Sequence, residues 1–163
     1  MENLTRICGD GMYNFLKPNG ALLSEEWFEW ADKFGEGFAV VRREDKLYNF
    51  LKPDGSFLSE EGFNYADCFF EGVARVQRED EMWNFLKPDG TFLSEEWFLY
   101  VRDFWKGFAR VQREDEMWNF LKTDGTILSE EWFKQVWDFY EGFAEVQRKD
   151  KTWKFITSDG TLL

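Results

Sequence analysis

The chain contains no histidine and only two cysteines. Without histidine it lacks the usual general base near neutral pH and the commonest zinc ligand. Cys8 and Cys68 stand in unrelated contexts without metal-ligand spacing, so neither a metal site nor a disulfide framework is indicated. No loop carries the alternating oxygen ligands of a dedicated calcium site. Residues 1–15 lack a basic-then-apolar signal region, and no apolar run approaches membrane-spanning length. These absences predict a cytoplasmic chain in a reducing compartment, with no cofactor and no membrane partner.

Basic side chains are also scarce, with 20 Lys and Arg against 32 Asp and Glu and a net charge of −12. Such a surface repels phosphate backbones and anionic lipids, which disfavours direct binding to nucleic acid. Basic proteins, cations, neutral ligands such as sugars, or plain solubility remain. What the sequence has in quantity is aromatic: 19 Phe, 9 Trp and 5 Tyr among 163 residues. Large rings allow a thin architecture without long helices to bury enough apolar surface.

These aromatics are periodic. Tyr13-Asn14-Phe15, Tyr48-Asn49-Phe50, Trp83-Asn84-Phe85, Trp118-Asn119-Phe120 and Trp153-Lys154-Phe155 start 35 residues apart each time. Residues 83–117 and 118–152 are identical at 24 of 35 positions, and no insertion breaks the register. Each copy therefore makes the same geometric step. The chain reads as a single repeat domain, 1–163, with units of about 1–36, 37–71, 72–106, 107–141 and 142–163.

Within a unit, Gly107–Arg113 places Phe108 on one face and Ala109 and Val111 on the other, the alternation of a half-buried strand. Glu114-Asp115 forms a turn into a second strand, Met117–Leu121. A Pro-Asp-Gly turn such as Pro88-Asp89-Gly90 leads to a third, Thr91–Leu93. The spacing predicts a mainly β fold of tandem three-stranded antiparallel meanders. Ser24-Glu25-Glu26 precedes apolar residues at Trp27, Phe28, Ala31 and Phe34, which suits a helical turn or two in the connector. An irregular crossover suits it equally. An open solenoid-like array is expected, with a five-unit propeller-like ring as the alternative. Three strands per unit is lean for a propeller blade.

The unit resembles that of the WG-repeat family of bacterial β-repeat proteins. Trp83-Asn84-Phe85-Leu86-Lys87, Asp89-Gly90 and Phe69-Phe70-Glu71-Gly72-Val73-Ala74-Arg75-Val76 are the counterparts of its aromatic-led strand, its turn and its Phe-x-Glu-Gly-Leu-Ala-x-Val segment. Asparagine, or Lys154 in the last copy, stands where the family usually has glycine. The resemblance implies small repeating β units, no catalytic residues and a role as an interaction module. A weaker likeness is to the shorter units of cell-wall choline-binding repeats.

Residues at identical phase in every copy serve the inter-unit core first, so Trp83, Trp118 and Trp153 with Phe85, Phe120 and Phe155 read as core. Equivalent sugar-stacking platforms are the alternative. The acidic pairs Glu25-Glu26, Glu60-Glu61, Glu95-Glu96 and Glu130-Glu131 recur too often and too equivalently for a two-carboxylate catalytic site. Arg43, Arg78, Arg113 and Arg148 lie near acidic turns, as for ion pairs between neighbouring copies. The copies disagree in the connector, at Trp30, Tyr65, Tyr100, Arg102, Trp105, Trp137 and Tyr140 among others. A fixed frame with one changing stripe is the pattern of a scaffold presenting a tailored surface. Those seven residues are the candidate contacts for a protein partner, and a basic one suits the charge. A multivalent glycan-binding module is the alternative, and an enzyme is not expected.

Overall fold

The computed structural model describes residues 3–163. Every regular element in it is a strand, and the strands fall into five small antiparallel sheets in tandem, none closed on itself. The first pairs β1 (Thr5–Gly9) with β2 (Met12–Leu16). The second has β3 (Trp30–Ala31), β4 (Ala39–Arg42) and β5 (Tyr48–Leu51) in that order. The third repeats this with β6 (Tyr65–Ala66), β7 (Ala74–Gln77) and β8 (Trp83–Leu86). The fourth has β9 (Tyr100–Val101), β10 (Phe108–Gln112) and β11 (Trp118–Lys122). The fifth has β12 (Gln135–Val136), β13 (Phe143–Gln147) and β14 (Trp153–Thr157). The chain divides into two compact units, one running to Glu81 and including Phe85–Thr91, the other comprising Met82–Asn84 and Phe92–Leu163.

The three-stranded sheets are assembled one phase away from the sequence expectation. Their first strand comes from the connector, and the stretch after each Asp-Gly turn makes only single bridges, such as Leu51 with Phe57 and Leu121 with Ile127. The connector holds no helix; among the described residues no helix exists that is long and apolar enough to cross a membrane. Both departures have one cause. Asn14 Nδ2 donates to the carbonyls of Ser24 at 2.9 Å and Glu26 at 3.1 Å, while its Oδ1 accepts from the Phe15 N–H at 2.7 Å. A helix needs the Ser24 carbonyl for the N–H of Phe28. That N–H instead donates to Tyr13 O at 2.9 Å, which draws the connector onto β2. Ser24 still caps, its Oγ accepting from the Glu26 N–H at 3.1 Å, but it caps a bend. Asn49, Asn84 and Asn119 reach the matching carbonyls of Ser59 and Glu61, Ser94 and Glu96, and Ser129 and Glu131.

Two tight hairpins complete each full copy. Glu36-Gly37 has positive φ at both residues (46° and 90°), and Gly35 and Phe38 exchange backbone hydrogen bonds across it, giving a type I′ turn matched to strand twist. Asp10-Gly11 in the first copy is also a two-residue turn. Later copies use three residues there, as in Glu44-Asp45-Lys46, with Lys46 left-handed at φ 72°.

The core is made by phenylalanines of two phases. Phe15, Phe50, Phe85 and Phe120 on the strands and Phe28, Phe63, Phe98 and Phe133 in the connectors are fully buried. A later connector residue then lies on the strand pair: Phe69 stacks on Phe38 at 4.6 Å and meets Phe50 edge-on at 5.2 Å. Each such ring removed from water contributes about 2–3 kcal/mol. The repeated tryptophans do not share this role. Trp83 and Trp118 are half-buried, whereas in the fifth copy Trp153 and Phe155 are 46% and 49% exposed. No connector follows them within the described residues, so the rings that cover the earlier copies have no counterpart there.

Copies also meet through backbone. A Cβ at Gly90 would stand 2.9 Å from the Leu58 carbonyl oxygen, 32 residues earlier, and one at Gly160 would stand 2.7 Å from Leu128 O. Gly72 has the same φ as Gly90 (82° against 83°) but open space beside it. Gly72→Ala therefore isolates the conformational penalty, about 1 kcal/mol, and Gly90→Ala adds a displaced backbone. Urea unfolding should show Gly90→Ala costing at least about twice as much; equal midpoints would remove the backbone joint. Asn119→Ala should cost about 2–3 kcal/mol through stranded buried backbone groups, against about 0.5 kcal/mol or less for Lys154→Ala at the exposed equivalent position.

Candidate functional site

Each connector strand is two residues long, so one side chain faces inward and one outward. Ala31, Ala66, Val101 and Val136 are buried, and Trp30, Tyr65, Tyr100 and Gln135 beside them face solvent. Residues two further on share the outer face: Asp32, Asp67, Arg102 and Trp137. The third variable phase, Phe70, Trp105 and Tyr140, opens the type I′ turns and is the most exposed, with Trp105 at 57% and Tyr140 at 71%. Lys106 lies over the Trp105 ring at 5.9 Å.

In the N-terminal compact unit, Trp30 and Tyr65 are joined by Tyr48. Its ring lies 6.3 Å from that of Trp30 and 6.0 Å from that of Tyr65. The three rings, with Asp32, Arg42 and Asp67, line a groove of about 350 Å³. Arg42 lies over Tyr48 at 5.7 Å. The Tyr65 hydroxyl donates to Asp67 at 2.9 Å, and this bond to a carboxylate raises the phenol's pKa. Arg75 pairs with the other Asp67 oxygen at 2.5 Å, so that carboxylate orients the groove wall.

In the C-terminal compact unit, Tyr100 packs edge-on against Trp118 at 6.0 Å, and Arg102 lies over the Tyr100 ring at 5.5 Å. Trp137 and Tyr140 come together in a separate hollow of about 540 Å³ with Phe143, Phe155 and Leu163. The half-buried Trp118, which the sequence assigned to the core, and Tyr48 at the same phase thus belong to the aromatic face. Their alternation across β5 and β11 from buried Asn49 and Asn119 was the signal available. The buried asparagines themselves were also legible: an amide in mid-strand at fixed phase in four copies, with Lys154 in its place in the fifth.

The arginine series acts in two ways. Arg43 makes a bidentate pair with Glu26 of the preceding copy at 2.9 and 3.1 Å, and Arg148 pairs with Glu131 at 2.7 Å. Arg78 and Arg113 pair within their own turns, with Asp80 at 2.6 Å and Asp115 at 2.7 Å. Arg113 also stacks on Trp132 at 4.1 Å. Among the described residues no group of three Cys, Asp or Glu is placed to hold a metal ion.

Fold and face together define a tandem β-repeat protein. A family model, that of the WG containing repeat, matches residues 120–153. One unit of the 35-residue period is covered by that match, and the other copies carry similar residues in register, which supports assignment of the chain to the WG-repeat family. No curated protein matches the sequence. Among solved structures it is similar to the computationally designed protein Ika8, at 14% identity over 98% of this chain and 57% of that one, with a TM-score of 0.44. The chain thus spans little more than half of Ika8. The designed Ika4 is similar at 15% identity, over 85% of this chain and 98% of that one, with a TM-score of 0.44. The WD40 β-propeller domain of Doa1 is similar at 14% identity, over 98% and 62%, with a TM-score of 0.36.

The Asp-Gly turns, and the Asp150-Lys151 turn of the last copy, carry acidic charge in ordered form. Hydroxyls of Ser56, Thr91, Thr126 and Thr152 donate to Asp54, Asp89, Asp124 and Asp150, as do the backbone N–H groups of the same residues. Donors to the ionised form hold these carboxyls below their ordinary value of 3.8. A lowered folded-state pKa stabilises the fold above 3.8 and loses that contribution as pH falls through the folded value. Stability should accordingly decline below about pH 4. Replacing Thr91, Thr126 and Thr152 with Val should shrink the decline and move the three aspartate titrations, followed by NMR, upward; unmoved titrations would contradict this.

Proposed function

We propose that the chain is a non-catalytic scaffold that binds protein partners through its connector face, its acidic surface steering basic partners. In its sharpest form it is an acidic inhibitor or sequestering protein. The observation that carries this reading is the contrast between phases. The strand and connector phenylalanines are buried, while Trp30, Tyr65, Tyr100, Trp105, Trp137 and Tyr140 stay exposed. Exposed large aromatics gain nothing for a free chain and serve as anchors when a partner desolvates them. Acidic residues around them raise association rates with basic partners.

The recurring carboxylates have structural work, Glu26 and Glu131 in ion pairs and the turn aspartates on hydroxyls, which supports the non-catalytic reading. Free, exposed thiols at Cys8 and Cys68 suit a reducing cytoplasm. A second reading, weak multivalent glycan binding, is favoured by the groove of Trp30, Tyr48 and Tyr65 beside Asp32 and Asp67, which pairs stacking surfaces with polar groups.

The test compares proteins captured from the native host by the chain and by a variant with Trp30, Tyr65, Tyr100, Trp105, Trp137 and Tyr140 changed to Ala. Loss of specific partners from the variant, with capture weakening as salt rises, is the expected result. An unchanged partner set defeats the proposal, and glycan-array signal lost on Trp30→Ala moves it to the second reading.

A further inference from the structure

The hollow formed by Trp137, Tyr140, Phe143, Phe155 and Leu163 has a filled counterpart one copy earlier. Phe143 and Phe155 stand 35 positions after Phe108 and Phe120. There, Phe139 of the following connector stacks on Phe108 with centroids 4.1 Å apart and meets Phe120 edge-on at 4.9 Å. An arginine ties down the same connector. Arg110 donates to Val136 O at 3.2 Å and pairs with Asp138 at 2.8 Å. In the first copy Arg6 likewise donates to the equivalent carbonyl, Ala31 O, at 2.8 Å.

In the fifth copy the apolar seat is kept and the charge at its edge is reversed. Strand register places Glu145 on β13, opposite Phe155, where Arg110 on β10 lies opposite Phe120. Glu141 and Asp138 add two further carboxylates to the rim. Asp138 is already matched by Arg110, whereas Glu141 and Glu145 form no ion pair among the described residues. A connector of the Asp138-Phe139 kind would bring its carboxylate against Glu145. A second copy of this chain does not supply this pairing: Phe69, Phe104 and Phe139 are buried in its own core, and no arginine in the sequence directly precedes an aromatic residue.

We infer that this face docks an extended segment of a protein partner in which an arginine directly precedes an aromatic residue. The aromatic ring takes the seat on Phe143 and Phe155 that Phe139 takes on Phe108 and Phe120. The arginine pairs with Glu145, the charge-swapped form of the Arg110–Asp138 pair. This rests on the scaffold reading and gives the chemistry of one partner contact.

The probe is a synthetic peptide of residues 129–141 carrying D138R, titrated by calorimetry against the full chain. It should bind at least about tenfold more tightly than the peptide of natural sequence. Adding F139A to the probe should abolish binding. Glu145→Arg in the protein, a change at an exposed position, should reverse the ranking of the D138R and natural peptides. A ranking unaffected by Glu145→Arg overturns the inference, as does binding that survives F139A. A concentration-dependent dimer that the peptide dissociates and Phe155→Ser abolishes gives the face to a second copy and also overturns it. If the peptide fails while host partners are still lost on changing Trp30, Tyr65 and Tyr100, this site fails alone. If the peptide binds while those partners are retained, the wider connector face is what fails.

Discussion

A buried asparagine amide organises each junction between strand and connector. Asn14, Asn49, Asn84 and Asn119 are at most 1% exposed, and their Nδ2 groups each satisfy two connector carbonyls. A buried amide left without partners costs several times what a satisfied one contributes, so this arrangement tolerates little rearrangement. By occupying the carbonyls a helix would use, the amide keeps the connector extended. It thereby sets Phe28 and its equivalents into the core and turns Trp30 and its equivalents outward. The aromatic face follows from the polar clamp beneath it.

Lys154 shows the same logic from the other side. Where no connector follows within the described residues, the amide is replaced by an exposed charge, and Arg110 is replaced by Glu145. The amide that holds a succeeding connector in all four other copies is lost, while the apolar residues that such a connector would cover are kept. This combination differs from a polar capping face, which would have lost its aromatics as well.

The period, the strands and their turns were legible because they rest on local rules: alternation, Asp-Gly chemistry and strict 35-residue spacing. The connector's path was not. Ser24 followed by two glutamates and helically spaced rings is a valid helix start read locally, and only the amide ten residues earlier decides otherwise. Identical phase also suggested identical burial for the tryptophans, which fails at Trp153 because burial depends on the next copy. Of the face, Trp30, Tyr65, Tyr100, Trp105, Trp137 and Tyr140 were visible as aromatics at variable positions. Tyr48 and Trp118 were hidden by their regularity.

The glycine turns lie close to a leucine of the preceding copy, against its carbonyl oxygen and its Cδ1. The residues this joint brings together, a glycine and a leucine, recur from copy to copy and leave the outward connector side chains out of the contact. Whole copies can then be duplicated, deleted or reordered without a new joint having to be invented. The outward face becomes a text whose letters are copies, open to rewriting by recombination while the spine that carries it stays the same.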